Sequence, residues 1–250
     1  MCPTVAVVIP AYNEQVRIRA TVEAARTIPE VSAVVVVDDG STDATSVLAQ
    51  EAGAIAVRHT RNLGKGSAIT TGAAVVAELD AQEGRAPRHL LFLDADLQET
   101  ALEAAPLVTP IVDDAADMSI GVLPRGAPGG GWGFVVRLSS GGIERMTGWT
   151  PTQPLSGQRC LTRRTFDPLV PLARGFGVEV GLTIDALQRG LRVVEVPVNL
   201  AHRVTGTSLG DRIHRARQWR DVARALAVRG VRQRFSRRRA VPVPPAAKEL

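Results

Sequence analysis

Two carboxylates close the segment Leu90-Leu91-Phe92-Leu93-Asp94-Ala95-Asp96, where four apolar residues read as a buried strand and deliver Asp94 and Asp96 at its end. Aspartates one residue apart on an irregular strand end can share one hard divalent cation, and a cation with open positions is what a diphosphate needs. Oxygen donors of this kind favour Mg²⁺ or Mn²⁺ over Zn²⁺. The competing role is structural, because acidic residues after a strand also cap helices and Asp96 precedes a helix start.

Three further clusters carry chemistry. In Asp38-Asp39-Gly40-Ser41-Thr42-Asp43 the turn chemistry of Gly40 and the capping hydroxyls explain most of the motif, and leave one carboxylate of the Asp38/Asp39 pair to face a crevice and accept from a nucleobase N–H. Lys65 between Gly64 and Gly66 makes a phosphate-cradling turn: the glycines let backbone N–H groups approach an anion at a helix N-terminus, and the lysine adds charge. The spacer and second glycine of a P-loop are missing, which disfavours an ATPase. His202, four residues after Val198, is by spacing alone an ordinary histidine.

The elements that must position these groups alternate along the chain. Strand-like runs at 5–9, 31–37, 55–57 and 90–93 are separated by helix-length segments, which predicts parallel strands with crossover helices in an α/β, doubly wound, mostly parallel sheet with helices on both faces. Helix starts are read at Asn13 for a helix from Glu14 to Arg26, at Ser41 or Thr42 with Asp43 in the first turn, and at the Gly64-Lys65-Gly66-Ser67 turn. Ligands of open α/β sheets bind beyond the carboxyl ends of the strands, so the polar loops should converge on one crevice. After a strand at 118–122, the glycine- and proline-rich stretch 124–133, with Arg125 and Trp132, reads as a mobile loop, a lid or a plain linker. A helix at 134–146, a helix at 178–189 and a strand at 193–198 follow. From Leu209 to Arg234 apolar residues recur every three to four positions between arginines, the pattern of a basic amphipathic helix that packs on its own domain or lies at a membrane surface.

With 250 residues and 45% apolar content the chain can build one α/β domain with a large core and an appended segment. Cys2 and Cys160 suggest neither a disulfide framework nor a metal cluster, which fits a reducing cytoplasm. No leader pattern opens the chain and no apolar run approaches the roughly 20 residues of a spanning helix, so a soluble or peripheral protein is expected. The net charge of +5 concentrates in the C-terminal arginines from Arg212 to Arg239, which are simply solvated or meet an anionic membrane at its inner face; nucleic acid is not an expected partner.

Taken together, Ile9-Pro10-Ala11-Tyr12-Asn13-Glu14, Val37 to Asp43, Asn62-Leu63-Gly64-Lys65-Gly66 and Leu93-Asp94-Ala95-Asp96 resemble the motifs of family 2 glycosyltransferases, in matching order and spacing through residues 4–100. The resemblance implies the GT-A nucleotide-sugar fold. It implies that Pro10, Ala11, Tyr12 and Glu14 flank the nucleoside and that Asp38 and Asp39 lie at the base. It further puts Gly64 and Lys65 near the base or diphosphate, Asp94 on ribose or metal, and Asp96 on the metal. The segments 153–158, 175–181 and 198–203 are similar to glucosyl-3-phosphoglycerate synthases, a retaining branch, which implies His202 as a third metal ligand and Glu179 beside the reacting sugar. The chain departs from that branch in its shorter length, missing N-terminal extension and unmatched acceptor loop. Polyprenyl-phosphate hexose synthases share the N-terminal motifs, and a basic C-terminal helix suits an acceptor held at a membrane.

These resemblances imply a hexosyl transfer from a nucleoside-diphosphate sugar, of UDP-glucose or GDP-mannose type, to a phosphorylated acceptor, either polyprenyl phosphate or a small acid such as 3-phosphoglycerate. Asp96, Glu179 and Arg203 are the expected catalytic residues, with the metal on Asp96, Asp94 and His202. The expected division is 1–208 as the transferase domain, with a nucleotide-binding half at 1–100 and an acceptor half at 101–208. A basic helix at 209–236 and a disordered tail at 237–250 complete it. A phosphatase reading fails on Gln98, where its signature wants threonine or valine, and a dinucleotide oxidoreductase fails because Pro10-Ala11-Tyr12-Asn13 replaces the glycine-rich turn. A non-catalytic nucleotide-sugar-binding module that docks at membranes is the alternative outside enzymology.

Overall fold

The strands of the first half are built from β-branched and other apolar residues without polar alternation, the composition of strands covered on both faces. In the computed structural model, which describes residues 4–124, 133–200 and 218–232, they form the centre of one seven-stranded sheet. Its strands are β1 (Val5–Ala11), β2 (Val31–Asp38), β3 (Ile55–Arg58), β4 (His89–Phe92), β5 (Met118–Val122), β6 (Arg159–Leu161) and β7 (Val193–Pro197). The order is β3-β2-β1-β4-β6-β5-β7, and β6 alone runs antiparallel to its neighbours.

Side chains of period two divide between two cores. Val5, Val7, Ile9, Val34, Val36, Leu91 and Leu93 face α1 (Ile18–Ala25), α2 (Thr45–Glu51) and the 3₁₀ segment Gln98–Leu107. Ala6, Val8, Val35, Val37, Leu90 and Phe92 face α3 (Lys65–Gln82) and the later helix at Val178–Gln188. The short α4 (Thr109–Val112) precedes β5, and α5 (Phe134–Thr147), α6 (Arg163–Phe166) and α7 (Val178–Gln188) follow. The order reverses at β1, with β2 on one side and β4 on the other, the kind of switch point beyond which open α/β sheets bind their ligands.

A third cluster joins Ile143 of α5, Val180 and Ile184 of α7, and Val222 of a helix at 218–232, α8. That helix packs its apolar stripe on the domain. Arg229, whose side chain is 6% exposed, pairs with Asp185 of α7 through both Nε, at 2.9 Å, and Nη2. The remainder of the 209–236 segment, the tail and most of the 124–133 loop lie outside the described residues.

Three sequence expectations are corrected. Asn13 does not cap a helix beginning at Glu14: it sits at φ 55°, a left-handed conformation that asparagine tolerates and a cap does not use, and the helix starts at Ile18. The second helix starts at Thr45 rather than at Ser41 or Thr42, with Asp43 Oδ1 accepting from the Thr45 N–H at 3.0 Å. Strand β6 and helix α6 have no counterpart in the sequence reading; β6 is three residues long and begins on an arginine, too short and too polar at its start to show a period.

Candidate active site

The loops after β1 and β2 are stitched to each other before any ligand arrives. Asn13 N–H donates to Ser41 Oγ at 2.9 Å, Glu14 N–H to Thr45 Oγ1 at 2.8 Å, and Thr42 N–H to Asn13 Oδ1 at 2.9 Å. Asn13 is thus a brace between loops, which accounts for its left-handed backbone. Pro10 and Ala11 end β1, and Tyr12 stands 48% exposed at the rim. Glu14 pairs with Arg17 at 3.2 Å.

Asp38 and Asp39 are both buried. Asp38 Oδ1 accepts from the Ser41 N–H at 2.8 Å, and its Oδ2 has no hydrogen bond but faces Arg58 Nε at 3.4 Å. Asp39 Oδ1 meets His59 Nδ1 at 2.7 Å and the Leu63 N–H at 2.8 Å, and Oδ2 accepts from the Gly64 N–H at 2.7 Å. Backbone donors of residues 41, 63 and 64 reach three of these four oxygens, so the pair shapes the turns around the crevice, while Asp38 Oδ2 is left without a hydrogen bond. Gly64, at φ 90°, is the turn that lets the chain run from that cage straight into α3. His59 is braced by Thr71 Oγ1 at 3.0 Å, and a single histidine after a short strand gives no signal in the sequence.

Lys65 opens α3 and reaches across the crevice. Its Nζ lies 2.7 Å from Asp94 Oδ1 and 2.9 Å from Glu179 Oε1, so one ammonium joins the carboxyl end of β4 to the first turn of α7. Burial by itself would lower the lysine, but the charges of Asp94 and Glu179 and the hydrogen bonds to them outweigh it and hold the group well above its ordinary value. Asp94 Oδ2 accepts from Gln158 Nε2 at 2.9 Å. Gly157 comes so close that a Cβ there would lie 2.5 Å from Lys65 Nζ and 3.0 Å from each Asp94 oxygen. The Asp94-Ala95-Asp96 turn is held from below by Thr21 of α1, fully buried, whose Oγ1 donates to Ala95 O at 3.0 Å and accepts from the Gln98 N–H at 2.8 Å.

The structure thus brings Lys65, Asp94 and Glu179 together, with Asp96 two residues on and half-buried. His202 and Arg203 lie outside the described residues, as do Arg125 and Trp132. Among the described residues no three histidine, cysteine or acidic side chains form a metal cage. Two neighbouring carboxylates with partly exposed side chains at a crevice nevertheless fit a hard cation, which takes its remaining ligands from water and a phosphorylated substrate. Further along the crevice, Arg61, Asn62, Leu63, Ser67 and Arg174 line an open hollow.

The model of the family described as glycosyl transferase family 2 matches residues 6–165, from β1 through the Asp94-Ala95-Asp96 turn to α6. The chain belongs to glycosyl transferase family 2. Family 2 relatives include the polyprenol monophosphomannose synthase of Mycolicibacterium smegmatis, 28% identical over 94% of this chain and 90% of that protein. The glucosyl-3-phosphoglycerate synthase of Mycobacterium tuberculosis is 31% identical over 80% of this chain and 67% of its own length. A crystal structure of the M. tuberculosis enzyme with Mn²⁺, uridine diphosphate and phosphoglyceric acid superposes with a TM-score of 0.70 at 26% identity, covering 91% of this chain and 78% of that one. The same enzyme with Mg²⁺ and uridine diphosphate gives a TM-score of 0.68, with 91% and 79% coverage. The family 2 resemblance and the GT-A fold read from the motifs are borne out: the chain is a glycosyltransferase domain related to both of these enzymes.

Proposed function

We propose that the chain transfers a hexosyl group from a nucleoside-diphosphate sugar to a phosphorylated acceptor, with a divalent cation held by Asp96, Asp94 and His202. The observation that carries this reading is the Lys65 ammonium between Asp94 of the first half and Glu179 of the second. A cation at that junction lies where a donor diphosphate and an acceptor would have to meet. Bound Mg²⁺ or Mn²⁺ supplies neutralisation of the charge that develops on the departing diphosphate.

The protein's own residues do the rest. The cage around Asp39 presents the Gly64-Lys65 turn to the donor, and Lys65 adds a fixed positive charge beside the leaving group. Glu179, only 9% exposed at its side chain and held by Lys65, orients the acceptor or takes a proton from its hydroxyl. A phosphate acceptor is already deprotonated and needs only the orientation. From the sequence alone, Arg203 is assigned to assist at the diphosphate and the 124–133 loop to exclude water that would hydrolyse the donor.

The two relatives point to two acceptors, polyprenyl phosphate and 3-phosphoglycerate. Residues 1–100 form the donor half and 101–208 the acceptor half in this reading. Among the described residues no helix is long and apolar enough to cross a membrane. On α8, Trp219, Val228 and Val231 are exposed among Arg220, Arg224 and Arg232, a face suited to an anionic surface, so we place the enzyme in the cytoplasm and peripheral to the membrane. The test is calorimetric titration of UDP-glucose and GDP-mannose with Mg²⁺ or Mn²⁺ and then with chelator, on wild type and Asp96→Ala, followed by transfer assays with both acceptors. Metal-dependent binding of one donor, lost in the variant and followed by turnover, supports the proposal. Binding without turnover on either acceptor would make the chain a non-catalytic module, and no binding would end the transferase reading.

A further inference from the structure

Arg159 is the largest side chain among the fully buried residues, 1% exposed at the start of β6. It stands between β4 and β5, registered against Phe92 and Ile120. Among the described residues its guanidinium forms no ion pair with a carboxylate. Nε donates to Ser156 O at 2.8 Å, Nη1 to Thr183 Oγ1 at 2.8 Å, and Nη2 points to Pro154 O at 3.5 Å. Burial pushes the group down to about 10, with the charges of Glu179 and Glu195 opposing that shift from a distance. A buried cation with neutral partners is expensive to keep, and replacing one with an apolar side chain is often neutral or stabilising. The arginine has to be accounted for by what it holds.

What it holds lies on both sides of the site. The loop at 153–158, whose carbonyls it binds, ends in Gly157, which closes on Lys65 and Asp94, and Gln158, whose Nε2 donates to Asp94 Oδ2 at 2.9 Å. Thr183, which accepts from Nη1, passes its own hydroxyl hydrogen to Glu179 O at 2.9 Å, one helical turn back. A planar fork with donors at fixed angles can bind the loop and the helix at once, which a lysine cannot. We infer that Arg159 is the positioning residue that registers loop 153–158 against the first turn of α7, so that Gln158 and Glu179 meet Asp94 and Lys65 in one arrangement. Its consequence for turnover rests on the transfer reading above; its consequence for the loop does not.

The experiment compares wild type with Arg159→Met, Arg159→Lys and Thr183→Val by amide hydrogen exchange and by donor turnover. In Arg159→Met, exchange should rise by about tenfold or more at 153–158 and 177–183 and stay unchanged in β1 to β3. The value of kcat should fall by about 100-fold with KM for the donor nearly unchanged, because a displacement of about 1 Å in a positioned group costs that much. Arg159→Lys should recover only a small part of kcat. Thr183→Val, which keeps the methyl shape and loses the hydroxyl, should raise exchange at 177–183 alone and keeps the inference testable if Arg159→Met does not fold. Unchanged exchange at 153–158 in Arg159→Met, or a rise spread evenly over the whole domain with KM and kcat falling together, would overturn the inference. Wild type that turns over no donor defeats the transfer reading by itself, and the exchange pattern still decides the role of Arg159.

Discussion

Replacing Lys65 with methionine removes the ammonium that two carboxylates share. Glu179 is 9% exposed at its side chain and Asp94 30%, with Lys65 at 29%, so water screens one partner far more than the other. Breaking a fully buried pair by deleting one partner costs about 3–5 kcal/mol, and partial exposure discounts that to about 2–3 kcal/mol here. For a domain of this size the loss corresponds to a fall in Tm of about 5–10 °C. The sign of its pH dependence follows from linkage. The folded-state lysine is raised above its ordinary value of 10.5, so its stabilisation is complete at neutral pH and fades only as pH rises beyond that value. The lysine's own contribution is therefore constant from pH 5 to pH 8, and the variant is compared with wild type at pH 7. Adding Glu179→Gln to Lys65→Met should recover more than half of the lost stability, since the stranded charge is then gone. The assay is thermal unfolding of wild type, both single variants and the double variant at pH 7. A double variant no more stable than Lys65→Met would refute the argument that Glu179 is the charge Lys65 neutralises.

Three other perturbations probe the frame around that triad. Asp39→Ala removes the acceptor for the Leu63 and Gly64 N–H groups and for His59, and should lower stability by about 2–4 kcal/mol in urea unfolding, with exchange rising first at 59–65. Gly157→Ala puts a methyl group 2.5 Å from Lys65 Nζ and should reduce donor turnover by about tenfold while the unfolding midpoint moves little, because the flexible lysine tip gives way before the backbone does. Arg229→Met strands Asp185, 14% exposed, beneath α8 and should cost about 3 kcal/mol, seen as faster limited proteolysis within 218–232 at unchanged cutting elsewhere.

The parts of this molecule that sequence reveals are those in which one local pattern has one physical cause. Val5, Val7 and Ile9 turned to one core and Ala6 and Val8 to the other, so an unbroken apolar run could only be a strand buried on both faces. The Gly64-Lys65 turn was legible for the same reason, since a glycine at φ 90° before a helix is a backbone requirement that the sequence displays. Asn13 misled because its side chain can serve either as a cap or as a brace, and the choice was made by Ser41 and Thr42, 28 and 29 residues away. Around the Asp38/Asp39 pair, likewise, nothing local says that the donors of residues 63 and 64 fold back onto Asp39. Thr21 and Arg159 left no signal at all, because a threonine in a helix and an arginine at the edge of a short apolar run are everyday occurrences until the tertiary fold places one under Ala95 and the other under Ser156 and Thr183. Residues that touch a substrate are restricted in type by chemistry and so can be read one at a time, whereas residues that hold them in place are restricted only by geometry. In this chain Arg159 opens strand β6, three residues long, which shows no period to mark it, whereas the Asp94-Ala95-Asp96 run stands out by its residue types alone.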